Sequence, residues 1–370
     1  MTIQHLGSDY AIILFELSQT TTGALIVTNQ VSGVSQIIDI DPSHMRQQIV
    51  IDGLKPNHTY QVKLGLREDG ELYRVPAWPY SPANQWIDLE IRAKVTDRPL
   101  RVGVIGDSGF GHQATFDLSQ QMAQAGLHFI LHVGDVVYHV GDNASPVEAF
   151  ALKYYEAFKP LLRTMPIYPV VGNHDLDTAT EWNGVPFYYY AFPPFATPDF
   201  DDSAFNGRNL WYAFQKMSVQ FILLNTQTFF GEVGRTEQED WLAERLADTR
   251  YAWTIPVCHV APYCSGLHAA TGSLVVRSNW APLFESNPRI PIVLSGHDHN
   301  YERLQAGNTT YIVSGGGSLT LYEATEIQPE SQFFARETHF VQLDIHADRI
   351  ELQAINVNGE VIDGSVIALS

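Results

Sequence analysis

The sequence predicts an α/β domain preceded by a smaller all-β domain, and three observations carry the prediction. The first is a change of pattern near residue 97. Residues 1–96 alternate apolar and polar positions in short runs broken by Gly, Pro, Asn and Asp, as antiparallel strands do. The second is a series of continuous apolar runs within 97–370: "LRVGVIGD", "HFILHVGD", "IYPVVGNHD", "VQFILLNT", "WTIPVCH" and "IPIVLSGHDH". Such runs, alternating with helix-like segments, belong to strands covered on both faces. The third is that each run ends in polar residues, at the strand edge where open α/β sheets build their sites.

Taken in chain order, "GLKPNHTYQV" spaces Leu54, Pro56 and Tyr60 in a way that resembles the tyrosine corner of fibronectin type III sandwiches. That resemblance implies a β-sandwich for 1–96. A charged, Pro-containing stretch, "IRAKVTDRPLR", leads into the second domain. Its helical candidates are "EAFALKYYEAFKPLLR" and "TEQEDWLAERLADT", where Thr236 and Glu239 fit a capping box. The stretch from Leu176 to Gln215, rich in Tyr, Phe and Pro, reads either as a rim loop over the site or as a satellite apolar cluster. The tail alternates again, and Asn358-Gly359 marks a hairpin that adds antiparallel strands to the same domain.

Composition narrows the function. With 22 Lys and Arg against 41 Asp and Glu, the net charge of −19 argues against a nucleic-acid footprint or attraction to anionic membrane. An anionic substrate must then be drawn by a local positive feature. Two cysteines, Cys258 and Cys264, make no disulfide framework. No apolar run approaches the roughly 20 residues of a spanning helix. The amino terminus lacks a leader pattern, so the chain reads as unexported unless a leader has been removed.

The strand ends supply Asp107, Asp135 with Tyr138, Asn173 with His174, His259, and His297 with His299. A lone strand-end Asp is more often a turn residue or helix cap, and a lone His a satisfied polar group. Oxygen and imidazole donors gathered at one sheet edge suit Fe, Mn or Zn, not a thiolate site or an all-oxygen calcium cage. The donors, Asp107, Asp135, Tyr138, Asn173, His259, His297 and His299, exceed one ion's usual need. Two ions about 3.5–4 Å apart and sharing a carboxylate are the economical reading. On an extended strand end, His297 and His299 would point to the same side.

The ordered series "GDSG", "GDVVY", "GNHD", "VCH" and "GHDH" resembles the purple acid phosphatase branch of the binuclear metallophosphoesterases, from about Leu100 to Ser318. The resemblance implies a four-layer αββα sandwich and a residue-by-residue assignment. Asp107, Tyr138 and His299 would hold a ferric ion, Asn173, His259 and His297 a second, divalent ion (Fe, Zn or Mn), and Asp135 would bridge them. Most relatives outside this branch carry Asp-x-His in the first motif. Here Ser108 and Gly109 follow Asp107, so a replacement donor is needed, and Tyr138 is the obvious one. The fourth motif departs slightly, with Val257 only two residues before His259.

A phenol, with an ordinary pKa near 10, is a poor ligand for a divalent ion at neutral pH, but trivalent iron stabilises its anion. The expected reaction is hydrolysis of a small phosphate monoester by a metal-bound hydroxide, with a phosphodiesterase as the alternative and a non-catalytic binding module as a third reading. His174 would contact the phosphoryl group or protonate the leaving oxygen, with Asp175 orienting it. His268, in "HVAPYCSGLH", resembles a substrate-contacting loop histidine of the family. His112 and His139 read as nearby loop residues, and His128 and His132 as parts of their strand. Tyr301, Glu302 and Arg303 resemble the family too, and read as supports behind the donors or as structural, and Cys258 as packing.

Overall fold

A computed structural model describes residues 1–17, 19–68, 71–74, 88–92, 99–138, 145–177, 181–182, 185–194, 200–202 and 210–369. The chain forms two compact units, Met1–Arg98 with Lys159–Tyr168, and Pro99–Phe158 with Pro169–Ser370. The excursion Lys159–Tyr168 carries no signal in the sequence.

In the first unit, alternation of side chains places one face of each strand inward. Arg46–Ile51 shows this directly, burying Gln47, Ile49 and Ile51 and exposing Gln48 and Val50. Thr2–Leu6, Ala11–Glu16 and Arg46–Ile51 form one sheet. Ser35–Asp39, Gly23–Asn29 and Thr59–Glu68 form another, and Thr59–Glu68 also pairs with Glu71–Arg74 and Asp88–Arg92. Ile13, Phe15, Leu25, Val27, Ile51, Val62, Leu64 and Ile91 fill the core between them. Tyr60 Oη accepts the Lys55 N–H at 2.7 Å, the backbone contact of a tyrosine corner.

Each apolar run of the second unit is a strand. Leu100–Ile105 and Phe129–His132 pair in parallel, and Val170 continues the edge by donating to His132 O. His339–Ile345 joins antiparallel to Leu100–Ile105, followed by Arg349–Asn356 and Val361–Ala368. The expected hairpin at Asn358-Gly359 therefore exists, with Gly359 at φ +82°. The second sheet runs Phe200–Asp202, Tyr212–Lys216, Val219–Leu224, Trp253–Val260, Ile292–Gly296, Thr309–Ser314, Tyr301–Ala306, Ser331–Ala335. Its four central strands, Val219–Leu224 through Thr309–Ser314, are parallel.

The two sheets meet where Phe129 packs edge-on against Phe214 and Phe221, at 5.6 and 5.2 Å. Helix Gly272–Glu285 drives Val276, Trp280 and Phe284 into the core shared with Ile222, Val260 and Val293, and Leu242 of helix Arg235–Ala247 joins them. Full burial of such a side chain is worth about 1.5–3 kcal/mol before entropy. Helix Gln113–Gln124 buries Leu118 and Met122, and Met122 meets Gly103 of the first sheet. The layers are helix, sheet, sheet, helix.

Three local expectations differ from what is found. Helix Arg235–Ala247 starts ahead of Thr236, because Gly234 adopts φ +89° and caps it without a side chain, while Glu239 accepts from Arg235 Nε at 2.9 Å. The capping box lies instead at Ser145 and Glu148, ahead of Pro146–Phe150. "EAFALKYYEAFKPLLR" passes through a π-helical turn, Ala151–Tyr155, before Lys159–Leu162. Within 176–215, Phe187–Ala191 is helical and buries Phe187, Tyr188 and Tyr189, and Gln215 belongs to a strand, which departs from the rim-loop reading and fits the satellite apolar cluster. Parts of that stretch, and His139, lie outside the described residues. No helix among the described residues is long and apolar enough to cross a membrane. Cys258 and Cys264 are buried free thiols.

Candidate metal centre

The polar strand ends converge because the backbone turns sharply just past each strand. Asp107, Asp135 and His297 adopt left-handed φ values of +56°, +52° and +70°. For residues with a Cβ this costs roughly 1–2 kcal/mol each, a cost that persists where surroundings over-determine the conformation. Here the Asp107 N–H donates to Gly134 O at 3.0 Å, and the His297 N–H donates to Asp107 Oδ2 at 3.0 Å. His297 thus lies in a tight turn beyond Ile292–Gly296, not on an extended strand end, and the expected same-side alternation with His299 does not apply.

Seven donors fall into two linked groups. In the first, Tyr138 Oη donates to Asp107 Oδ1 at 3.1 Å and lies 2.9 Å from His299 Nε2, which is 3.4 Å from Asp107 Oδ1. In the second, His259 Nε2 lies 3.0 Å from Asn173 Oδ1, 3.2 Å from His297 Nδ1 and 3.4 Å from Asp135 Oδ1. Asp135, His259 and His297 each offer one donor atom, all within 4.8 Å of one another. Asp107, Asp135, Tyr138, His259 and His299 are buried.

The groups around the donors fit a cation. His259 Nδ1 and His299 Nδ1 each face a backbone carbonyl, Val133 O and Thr320 O, at 2.8 Å. A carbonyl only accepts, so each Nδ1 carries the hydrogen and each Nε2 turns its lone pair inward. Those lone pairs meet carboxylate and amide oxygens, which are acceptors too. In the protein alone the conflict is relieved by protons. Burial opposes charge on His259, but the Asp135 carboxylate wins and raises it to about 10. Burial, then the charges of Asp107 and Asp135, hold the Tyr138 phenol well above its ordinary value. Burial, then the neighbouring His259 and His268, keep His297 neutral, well below its ordinary value. A bound cation would replace these protons, since its ligands must be deprotonated.

A family model described as "Calcineurin-like phosphoesterase" matches residues 100–301. The chain belongs to the calcineurin-like phosphoesterase family. As a calcineurin-like phosphoesterase it is a metal-dependent phosphoric ester hydrolase. Its similarity runs to the acid phosphatases. It is 26% identical to tartrate-resistant acid phosphatase type 5 of Mus musculus over 267 residues, covering 63% of this chain and 77% of that protein. It is 28% identical to purple acid phosphatase 1 of Ipomoea batatas over 229 residues, covering 58% and 45%. Among solved structures, purple acid phosphatase PPD1 from yellow lupin matches with a TM-score of 0.76 at 18% identity, over 99% of this chain and 73% of that one. GAP50, described as the anchor in the inner membrane complex of Plasmodium, matches at 0.56 and 17%, over 74% and 90%. At such identities the structures speak for the fold alone, and function rests on the site.

Around this phosphoesterase site, the structure corrects one assignment. Asp175 does not orient the His174 ring. Its fully buried carboxylate accepts from Gly172 N–H at 2.9 Å, Val136 N–H at 2.9 Å and Val137 N–H at 3.3 Å. The ring of His174 meets Asp177 instead, Nδ1 to Oδ2 at 2.9 Å. The reason is local geometry: His174–Leu176 is a single 3₁₀ turn, which eclipses residues i and i+3 and sends i+1 elsewhere. His174 remains at the centre, its N–H on Asp135 Oδ1 at 2.9 Å and its ring 4.5 Å from that of Tyr138.

His268 is also brought in, its ring centroid 3.9 Å from that of His297. Asp298 holds it, accepting the His268 N–H at 3.2 Å and facing Nδ1 at 3.3 Å. Sequence reasoning missed Asp177, Asp298 and Lys153, whose ammonium in the π-turn donates to Tyr138 O at 2.8 Å. The spacing from His174 to Asp177 was the available signal for the first. Tyr322, stacked on His299 at 4.2 Å, had none. Of the strand histidines, His132 is buried, its Nε2 meeting Ser108 Oγ at 2.8 Å and burial lowering it to about 3, and half-buried His128 accepts the Arg101 N–H at Nδ1. His112 stacks on Phe110. Tyr301 and Arg303 bind Asp363, and Glu302 accepts the Ser265 N–H at 2.7 Å, so the three tie neighbouring segments together.

Proposed function

We propose that this chain hydrolyses small phosphate monoesters at a binuclear centre of purple acid phosphatase type. Asp107, Tyr138 and His299 would hold Fe(III), Asn173, His259 and His297 a divalent Fe, Zn or Mn, and Asp135 would bridge. The observation that carries the reading is the buried Tyr138 phenol, 3.1 Å from Asp107 Oδ1 and 2.9 Å from His299 Nε2. Only a strongly charged cation favours an anion there. Bridging by Asp135 is supported by its place between the two sets: its Oδ1 lies 3.4 Å from His259 Nε2, and its charge acts on the Tyr138 phenol. Bound in this set, the ions would supply charge for the phosphoryl oxygens and acidify a water.

His174 does the proton work. As the bond from phosphorus to the leaving oxygen breaks, its electron pair stays on that oxygen, which takes the proton from His174 Nε2, while water supplies the incoming oxygen. His268, beside His297, contacts the substrate. The strand order and tyrosine-corner contact support a fibronectin type III-like domain at 1–96, ahead of a catalytic domain at 97–370. The test is a panel of mono- and diesters offered to protein loaded with iron and zinc. Nitrophenyl phosphate should turn over faster than bis(nitrophenyl) phosphate, and activity should vanish with chelation. Absence of hydrolysis of every ester over a broad pH range overturns the proposal.

A further inference from the structure

Asp177 is placed by the turn that follows Asn173. The Asp177 N–H closes that turn on His174 O at 3.4 Å, and the carboxylate returns to the His174 ring at 2.9 Å. An ionised carboxylate can only accept, so Nδ1 must carry the hydrogen. The other ring nitrogen, Nε2, is left for the site. The ring is fixed from its other side by the backbone, through the His174 N–H on Asp135 Oδ1 and the Tyr138 ring 4.5 Å away.

We propose that Asp177 is a positioning residue for His174, holding the tautomer and ring angle that direct Nε2 at the leaving oxygen of the substrate. The proposal rests on the reading of this site as a phosphate esterase. Both side chains are partly exposed, 34% and 46%, so their pairing adds little to folding. Its effect lies in orientation, because a histidine delivers a proton from Nε2 only when a third group holds Nδ1–H and fixes the ring angle. During the step, Nε2 gives its proton to the departing oxygen and the ring becomes neutral, keeping Nδ1–H on Asp177.

The test uses the metal-loaded enzyme and two kinds of leaving group. An alkyl phosphate needs the proton in the transition state, whereas dinitrophenyl phosphate leaves as a stable anion. D177A should lower kcat on the alkyl ester by about tenfold or more and on the dinitrophenyl ester by less than about threefold. D177N, which keeps an acceptor, should retain most of the alkyl-ester rate. Equal losses on both esters, or no loss on either, would overturn the proposal. A second readout is independent of turnover: nitrogen-15 shifts of His174 in protein loaded with Ga(III) and Zn(II). They should report Nδ1–H in the wild type and a mixed tautomer in D177A. An unchanged tautomer contradicts the proposal, while a wild type that cleaves no ester contradicts the esterase reading instead.

Discussion

Asp175 and Asp177 flank Leu176, and the 3₁₀ turn sends their carboxylates in opposite directions. Asp175 turns inward, where burial and the charge of Asp135 push its carboxyl up to about 7, against the pull of the Gly172 N–H. Its three backbone partners belong to the segments that carry Asn173 and Tyr138, so one side chain ties two ligand-bearing turns together. Removing it strands buried N–H groups, each worth about 1–3 kcal/mol when left unpaired. Asp175→Ala should therefore lower unfolding free energy by more than about 2 kcal/mol in urea. A wild-type urea midpoint would show that these bonds do not hold the turns. At this scale the sequence was only half legible. Residue types and order identified the donors, but which aspartate served His174 depended on one turn of backbone that composition does not encode.

A second regularity governs the strand ends: the four donors that open the turns follow a glycine, as Gly106-Asp107, Gly134-Asp135, Gly172-Asn173 and Gly296-His297. The glycines leave room for neighbouring strand ends to cross. A Cβ at Gly172 would collide with Asp135 Oδ1, one at Gly134 with His259 Nδ1, and one at Gly296 would come within 2.5 Å of Asp107 Oδ2. Backbone on this side cannot yield cheaply, so Gly172→Ala should displace the Asp135 carboxylate. The expected result is loss of at least one metal per chain by elemental analysis, with the circular dichroism of the sheets retained. Full metal content in Gly172→Ala would contradict the shared-crossing account. Elements were the most legible level, because fully buried strands announce themselves as apolar runs. Two elements departed from the pattern: Gly234 replaced the Thr236 cap by reaching φ +89°, and Ala151–Tyr155 forms a π-turn that no periodicity records.

Across the whole molecule, an excess of acidic side chains is reconciled with an anionic phosphate ester, on the proposed reading, by cations held in one buried cluster. The two sheets bring together donors as distant in sequence as Asp107 and His299, so that the site exists only in the finished fold. The order of motifs along the chain pointed to these residues, and the fold brings their side chains together. The path of Lys159–Tyr168 into the first unit was not readable, since ordinary amphipathic residues carry no address. The proposed function turns on Tyr138 being a phenolate ligand of Fe(III). The direct measurement is the visible absorption spectrum of iron-loaded protein. The wild type should be coloured by a tyrosinate-to-Fe(III) charge-transfer band, and Tyr138→Phe should lose the band together with most of its phosphatase activity. Iron-loaded wild-type protein without the band, or a Tyr138→Phe variant that keeps it, would contradict the account.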